Sequence, residues 1–187
     1  ARRARELGID LIVTDHHEPA DVLPRALAVI NPRRRDSDYP DPNLSGAGVA
    51  FKIAQGICIR AAHIDWVSAL LKIAAIGTVA DVVPLRGENR VIASLGLEAL
   101  TVGVHTKGLQ ALLEVCGLTG RRIESDDVSF RIAPRINAAG RMSSAEVAAE
   151  LLLSAGASSV EACSELAERL DELNNRRREQ ERQVTKA

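Results

Sequence analysis

The sequence has very few aromatic residues and almost no net charge. Aromatic side chains make up 2% of its 187 residues, namely Tyr39, Phe51, Trp66 and Phe130, so the stacking surface that many single-strand binders use is poorly supplied. The formal net charge is −1, and any nucleic-acid contact must therefore come from local basic clusters. The candidates, which also suit a solvated surface, are Arg33–Arg35, Arg121 with Arg122, and Arg176–Arg178.

Cysteines are also scarce, and no long apolar run is uninterrupted. Three widely spaced cysteines occur without a Cys-x-x-Cys pattern, at Cys58, Cys116 and Cys163. This argues against a disulfide framework and against a zinc site, and it fits a reduced, cytosolic setting. The most apolar stretch, Trp66–Pro84, is interrupted by Lys72 and Asp81. The sequence therefore predicts no transmembrane helix.

The overall composition is that of a globular protein with a buried core. Hydrophobic residues make up 46% and charged residues 26% of the sequence. The sequence begins Ala1-Arg2-Arg3 without an initiator Met, and its last predicted helix has no Gly or Pro terminator. We therefore expect an internal fragment of a longer protein.

Two short apolar runs predict buried β-strands. They are Asp10–Thr14 and Ala26–Ile30, both rich in branched residues. The first run ends in Asp15-His16-His17. Because ligands of open α/β sheets collect beyond the carboxyl ends of parallel strands, these three side chains are candidates for a binding site. The alternative interpretation is a polar surface turn.

The rest of the sequence predicts mainly helices. Ser45 is placed to cap a helix that runs to about Ala61, and Trp66–Gly77 has helical apolar spacing. The segment Thr78–Leu85 predicts a turn that carries Asp81 within an apolar frame. Further predicted helices are Asn89–Leu100, Lys107–Cys116, Val147–Leu153 and a long last helix, Glu161–Lys186.

Four of these residues suit the binding of a divalent metal beside a phosphate. Asp15, His16, His17 and Asp81 offer carboxylate and imidazole groups. We expect Asp81 at a second strand end, where it can converge with the first. Hydrolysis of a phosphodiester by two metals about 3.5–4 Å apart calls for several bridging carboxylates. The sequence supplies too few, which supports the interpretation as a fragment.

Four segments resemble the RecJ branch of the DHH phosphoesterase superfamily. Asp15-His16-His17 resembles the triplet that names the superfamily, and Gly77–Leu85 resembles a later RecJ motif. Arg131–Met142 resembles the RecJ pattern Pro-Arg-x-Asn-Ala-x-Gly-Arg, and Ser45–Lys52 resembles another RecJ stretch. The triplet alone is shared with family II pyrophosphatases, exopolyphosphatases and phosphodiesterases of small oligonucleotides or cyclic dinucleotides. The other three segments favour RecJ.

The resemblance implies an α/β fold and an exonuclease. We expect a mostly parallel sheet flanked by helices, which passes into a helical segment and a long connecting helix. Residues 1–157 would be a partial DHH catalytic domain, and residues 158–187 would lead toward an absent second domain, DHHA1. The family's upstream aspartate motifs have no counterpart in the sequence. The implied activity is 5′ to 3′ hydrolysis of single-stranded DNA in repair and recombination, with this fragment alone inactive.

The resemblance also assigns roles to individual residues. His16 and Asp81 would ligate Mn²⁺ or Mg²⁺ in a two-metal site that is incomplete here. Asp15 would orient His16 or join it as a ligand, and His17 would face the scissile phosphate. Substrate contacts are implied for Arg135, Asn137 and Arg141, where the alternative is a Gly-containing turn whose arginines bond carbonyls. Beyond single-stranded DNA, the resemblance extends to single-strand-binding protein and a helicase as partners.

Two rival functions stay open at this point. One is a DHH phosphodiesterase of short oligonucleotides or cyclic dinucleotides, which would not degrade long single strands. The other is a non-catalytic scaffold for replication proteins, which would have lost its metal ligands. The presence of Asp15, His16, His17 and Asp81 speaks against the scaffold.

Overall fold

The structure is a computed structural model that describes residues 1–142, 144–154 and 158–186. The chain divides into two compact units, Ala1–Gly96 and Leu97–Ala187. The boundary between them falls within one helix. The predicted division into a catalytic domain, 1–157, and a connecting helix, 158–187, stays a prediction, and residue 157 itself lies outside the described residues.

The first unit combines a small parallel sheet with an antiparallel pair of helices. Its elements are α1 (Arg2–Glu6), β1 (Ile12–Thr14), β2 (Ala28–Ile30), α2 (Gly46–Arg60), a 3₁₀ turn (Ile64–Trp66), α3 (Val67–Ala80) and the first part of α4 (Gly87–Val102). The strands are parallel, with Ile12 opposite Ala28 and Thr14 opposite Ile30. Both strands are present, and each begins two residues later than the apolar run. The prediction that they are buried is wrong, because every residue of the two strands is exposed or partly exposed, with Ile12 55% exposed.

Helix α2 begins where the sequence predicts. Ser45 is the N-cap, and its hydroxyl accepts a hydrogen bond from the backbone N–H of Gly48 at 2.9 Å. Leu44, Val49 and Phe51 then join Ala74, Ala75 and Ile92 in the buried core of the unit. The cap therefore fixes the start of the helix, and burial of its apolar face stabilises the rest.

Helix α3 is longer than predicted, and the interpretation of Thr78–Leu85 as a turn is wrong at its beginning. Residues Thr78 to Ala80 are helical, and the N–H of Asp81 still donates to the carbonyl of Gly77 at 3.0 Å. Thr78 and Val79 are buried, so tertiary packing extends the helix past the glycine. Asp81 is consequently the C-cap residue of α3, whereas it was expected at the end of a strand.

In the described part of the second unit, every secondary-structure element is helical. After the remainder of α4 come α5 (Lys107–Val115), α6 (Ser125–Asp127), a π turn (Val128–Ile132), α7 (Ala133–Met142), α8 (Glu146–Leu153) and α9 (Val160–Lys186). From Ser125 to Met142 the helical path is continuous, so the alternative interpretation of Arg131–Met142 as a glycine turn is wrong. The core consists of fully buried apolar side chains, among them Leu112, Leu118, Ile132, Leu151 and Leu170.

Two exclusions from the sequence can be compared with the structure. Cys58, Cys116 and Cys163 are all free and buried, as expected for a protein without a disulfide framework. Burial raises the pKa of the Cys116 thiol to about 11. Across the described ranges, no helix is both long and apolar enough to cross a bilayer.

The contact between α2 and α3 generates a prediction about Gly77. A β-carbon at this position would lie 2.4 Å from the Cβ of Ala47, closer than packed carbon atoms can approach. Gly77→Ala should therefore lower the free energy of unfolding by about 1–3 kcal/mol through overpacking. Urea denaturation of the purified protein measures this loss.

Gly56 provides a matched control on α2. A β-carbon there would meet no atom within 4 Å, so Gly56→Ala should stabilise the helix by about 0.5–1 kcal/mol. Equal stability changes in the two variants would contradict the proposed close contact.

Candidate active site

The Asp15-His16-His17 triplet lies directly beyond the carboxyl end of β1. The backbone N–H of Asp15 donates to the carbonyl of Ile30 at 3.0 Å, which extends the parallel ladder by one bond. The three side chains therefore leave the sheet at the edge where ligands of α/β folds collect. The sequence placed them correctly.

The Asp15 carboxylate organises this loop. Its Oδ1 accepts hydrogen bonds from the backbone N–H groups of His16, at 2.7 Å, and His17, at 3.2 Å, and from the Nδ1–H of His17 at 2.8 Å. The side-chain bond from His17, followed by the two backbone bonds, lowers the pKa of Asp15 from its ordinary value of 3.8 to about 2. Asp15 is thus held as a carboxylate at neutral pH.

The imidazole partner of Asp15 differs from the expectation. The resemblance implied that Asp15 orients His16 or joins it as a ligand, but the carboxylate contacts the ring of His17 and only the backbone of His16. The reason is local: one carboxylate oxygen that accepts two successive N–H groups turns the chain so that the second imidazole comes within reach.

His16 follows strand β1 and Asp81 follows helix α3, and the fold brings their side chains together. The Nε2 of His16 lies 3.5 Å from the Oδ2 of Asp81, with the side chains 17% and 38% exposed. The imidazole rests against the first residue of α2, because a β-carbon on Gly46 would lie 3.3 Å from the His16 Cδ2. The expected convergence of these residues is therefore present, although Asp81 arrives on a helix.

This pair fits the coordination of a single cation. Imidazole nitrogen and carboxylate oxygen each bind a metal at about 2.0–2.2 Å, so two ligands of one ion lie roughly 3.0–3.5 Å apart. The His16–Asp81 separation of 3.5 Å is within this span. Among the described residues, however, no group of three or more His, Cys, Asp or Glu side chains is placed to hold a metal. The pair is a partial ligand set.

Two neighbouring residues shape the entrance. His17 is 77% exposed at its side chain, and its ring lies 4.3 Å from that of His16. It is therefore available to a ligand that approaches the His16–Asp81 pair from solvent. Asn31 supports the loop from the end of β2, since its Nδ2 donates to the carbonyl of His17 at 2.9 Å. Its position after the second predicted strand was the available signal.

The backbone is strained immediately after Asp81. Val82 has a φ of +58°, in the left-handed region that β-branched residues rarely adopt. Its N–H donates to the carbonyl of Val79 at 3.3 Å, and this bond closes the end of α3. Glycine is the usual residue at such a helix end, but here a β-branched valine follows Asp81 directly.

Arg135 in the second unit is already paired with an acidic residue. Its Nε and Nη2 lie 2.8 and 2.6 Å from Asp171 Oδ1, and its Nη1 donates to the carbonyl of Arg131 at 2.7 Å. The guanidinium thus joins α7 to α9 and donates to a backbone carbonyl within the π turn. These contacts favour a structural role over the predicted contact with substrate.

The other two predicted substrate residues lie on an exposed part of α7. Asn137 and Arg141 are exposed together with Gly140, and spacings of three and four residues place them on one helical face. Phe130, in the preceding π turn, is 77% exposed. From the sequence this phenylalanine stood out only as one of few aromatics. Its position four residues before Pro134 was the available signal.

Comparison with known proteins first identifies the class. Residues 1–78 match the model of the DHH family, N-terminal domain. This range contains both strands, the triplet, helix α2 and helix α3 as far as Thr78. These residues therefore match a DHH domain, as their motifs predict.

Within this class the chain is similar to one segment of RecJ. It is 41% identical over 185 residues to the single-stranded-DNA-specific exonuclease RecJ of Bacillus subtilis, covering 99% of this chain and 22% of that protein. To RecJ of Escherichia coli it is 39% identical over 186 residues, covering 94% and 32%. The predicted resemblance to RecJ is confirmed, and the chain spans between a fifth and a third of these relatives.

Solved structures agree with this assignment. RecJ from Thermus thermophilus in complex with Mn²⁺ matches 98% of this chain and 27% of its own, with a TM-score of 0.83 and 36% identity. A second exonuclease RecJ bound to manganese matches 98% and 45%, with a TM-score of 0.80 and 38% identity. The predicted fold class, a helix-flanked parallel sheet that leads into a helical segment and a long helix, is confirmed.

The hydrogen bonds of Asp15 predict a pH dependence of stability. Its pKa in the folded protein, about 2, lies below the ordinary value of 3.8. The carboxylate therefore stabilises the fold above about pH 4, and this contribution is lost as the pH falls toward 2. Asp15→Asn should flatten the acid limb of the stability curve, which urea denaturation from pH 6 to 2 would measure.

Asp38 serves as the control for general charge effects. It is a side chain in the surface loop that follows β2, and Asp38→Asn should leave the acid limb as steep as in the unsubstituted protein. A curve for Asp15→Asn that runs parallel to the parent curve would contradict the stabilising role of the carboxylate.

Proposed function

We propose that this protein is a RecJ-type exonuclease that hydrolyses phosphodiester bonds of single-stranded DNA from the 5′ end with divalent-metal catalysis. The observation that carries the proposal is the His16–Asp81 pair, 3.5 Å apart at the carboxyl end of β1, in a chain about 40% identical to RecJ exonucleases. Repair and recombination of DNA in the cytoplasm is the proposed setting.

His16 and Asp81 are the proposed ligands of Mn²⁺ or Mg²⁺, the ions with which structures of Thermus thermophilus RecJ were solved. When bound, such an ion polarises a phosphoryl oxygen and lowers the pKa of a water molecule. Two ligands do not fill a coordination sphere. We propose that the remaining carboxylates of a two-metal site are supplied from outside the residues of this chain, so that the isolated chain is inactive.

The two other residues of the triplet have different proposed roles. Asp15 fixes the loop through three hydrogen bonds to one oxygen and holds the ring of His17 in one orientation. His17 projects into solvent beside His16, where its exposed ring can contact the scissile phosphate. The arrangement supports substrate contact by His17 and positioning by Asp15.

Contacts to the DNA strand are proposed for the exposed face of α7. Arg141 suits a phosphate oxygen, and Asn137 suits a sugar or phosphate oxygen. The exposed ring of Phe130 suits stacking on a base, which every sequence can offer. Arg135 was also predicted to contact substrate; given its pairing with Asp171, we propose that it positions this face.

The partners inherited from the family resemblance remain proposals. Single-stranded DNA has support from the names of the relatives. Single-strand-binding protein and a helicase have no contact surface assigned to them here, and they stay predictions.

Substitution of the ligand pair tests the site. In the full-length protein, His16→Ala and Asp81→Ala should each reduce hydrolysis of single-stranded DNA below detection, because both remove a metal ligand, while the far-ultraviolet circular dichroism stays unchanged. His63→Ala and Asp65→Ala are matched controls, since they replace the same residue types at exposed positions of the same unit. Full activity in either ligand variant would exclude the proposed site.

End-blocked substrates test the reaction itself. The full-length protein with Mn²⁺ should release mononucleotides from single-stranded DNA that has an open 5′ end and a blocked 3′ end, and none from the reverse substrate. Cleavage of only di- or trinucleotides would indicate a small-substrate phosphodiesterase. Metal binding without any hydrolysis would indicate the scaffold.

The α7 face predicts a specific loss of DNA affinity. Arg141→Ala should weaken binding for every sequence and reduce the slope of log affinity against log salt by about 0.7, the value for one phosphate contact on a single strand. Phe130→Ala should cost about 1–3 kcal/mol with little change of this slope. Fluorescence anisotropy at several salt concentrations measures both.

Arg169→Ala is the control for loss of a surface charge in the same unit, because Arg169 is exposed on α9 and lies outside the basic clusters of the sequence. If Arg169→Ala and Arg141→Ala change the affinity and the slope equally, the α7 face makes no particular contact with DNA.

A further inference from the structure

Three fully buried polar side chains form one hydrogen-bonded network in the first unit. Ser45, Thr78 and Asn89 are each 0% exposed. The hydroxyls of Ser45 and Thr78 lie 2.8 Å apart, and Asn89 Oδ1 accepts from the N–H of Ser45 at 3.2 Å. Asn89 Nδ2 donates to the carbonyls of Asn43, at 2.6 Å, and Pro84, at 3.2 Å. We call these three residues the buried polar triad.

The triad is complete as well as buried. Every donor and acceptor of the Asn89 amide has a role, and the Ser45 hydroxyl both caps α2 through Gly48 and meets Thr78. An unpaired polar group at such a site would cost about 1–3 kcal/mol. A satisfied network, in contrast, restricts its members to one arrangement. It therefore fixes the geometry of the segments that carry its members.

These segments are the ones that hold the proposed metal ligands. Ser45 directly precedes Gly46, the residue against which the His16 ring packs. Thr78 lies three residues before Asp81, within the last turn of α3. The hydroxyl pair thus links the start of α2, which supports His16, to the end of α3, which carries Asp81. Through Pro84, Asn89 also ties down the chain just after Asp81.

We propose that Ser45, Thr78 and Asn89 are positioning residues that set the separation of His16 and Asp81 and thereby the affinity of the site for a divalent cation. The inference rests on the proposed metal site. None of the three is a proposed ligand of the cation. Removal of an outer hydrogen-bonding partner of a metal ligand typically lowers metal affinity by about 10–100-fold. The triad acts one step further out, through the backbone, and the low end of this range applies.

The test is a comparison of Thr78→Val, Thr78→Ser and Thr101→Val in the full-length protein. Thr78→Val keeps the shape and removes the hydroxyl, whereas Thr78→Ser restores it. Thr101→Val is the matched control in the second unit, since Thr101 Oγ1 also makes two hydrogen bonds, to the carbonyl of Leu97 at 2.9 Å and from the N–H of Ile123 at 3.0 Å. Isothermal titration calorimetry gives the Kd for Mn²⁺, counting only the binding that His16→Ala removes.

We expect Thr78→Val to raise this Kd about tenfold and Thr78→Ser to return it close to the parent value. Thr101→Val should lower the urea midpoint without changing the Kd. Ser45→Ala provides a second variant that breaks the same hydroxyl pair, and it should raise the Kd in the same direction even if Thr78→Val does not fold.

An unchanged Kd in Thr78→Val or Ser45→Ala would overturn the inference, and so would an equal rise in Thr101→Val, because stability alone would then explain the effect. Failure of the proposed function has a different signature. If the parent protein binds no Mn²⁺ that depends on His16, the metal site and the inference fall together. If it binds Mn²⁺ but hydrolyses no DNA, only the proposed activity falls.

Discussion

The close approach of α2 and α3 at Ala47 and Gly77 is the constraint on which the site depends. Helix α2 begins and helix α3 ends at the same edge of the first unit. The contact therefore brings Gly46, against which the His16 ring packs, close to Asp81. A side chain larger than hydrogen at Gly77 would push the two helices apart beside the His16–Asp81 pair. The parallel strands supply the third element at this edge, and the triplet emerges from the first of them.

The negative charge at this edge comes from Asp81 and from the end of α3. Asp81 stands at the C-terminus of α3, where the helix dipole already concentrates negative charge, and the last turn of α3 contains no basic residue. His16 approaches with a nitrogen whose charge depends on protonation. A cation between the two would offset both the carboxylate and the dipole, so the placement of Asp81 makes physical sense as a binding arrangement and little sense as a stabilising one.

Much of this arrangement could be predicted from sequence, and the exceptions have clear causes. The strands and the Ser45 cap follow from local patterns, namely apolar runs and a hydroxyl before a helix. The helical state of Thr78–Ala80 does not, because burial of Thr78 and Val79 overrides a glycine that locally favours a stop. The Arg135–Asp171 pair joins residues on two different helices, and no local pattern encodes such a contact. The exposure of Phe130 likewise depends on which face of its helix the core covers.

At Val82, the left-handed residue after Asp81, selection for stability and selection for an ordered ligand favour different residues. A β-branched residue in this conformation stores roughly 1–2 kcal/mol, and glycine at Val82 would release it while loosening the backbone that carries Asp81. Selection for heat resistance alone would therefore drive Val82 toward glycine, whereas selection for a well-ordered ligand would retain a restricted residue. Which residue a population keeps at this position would report which pressure has dominated its history.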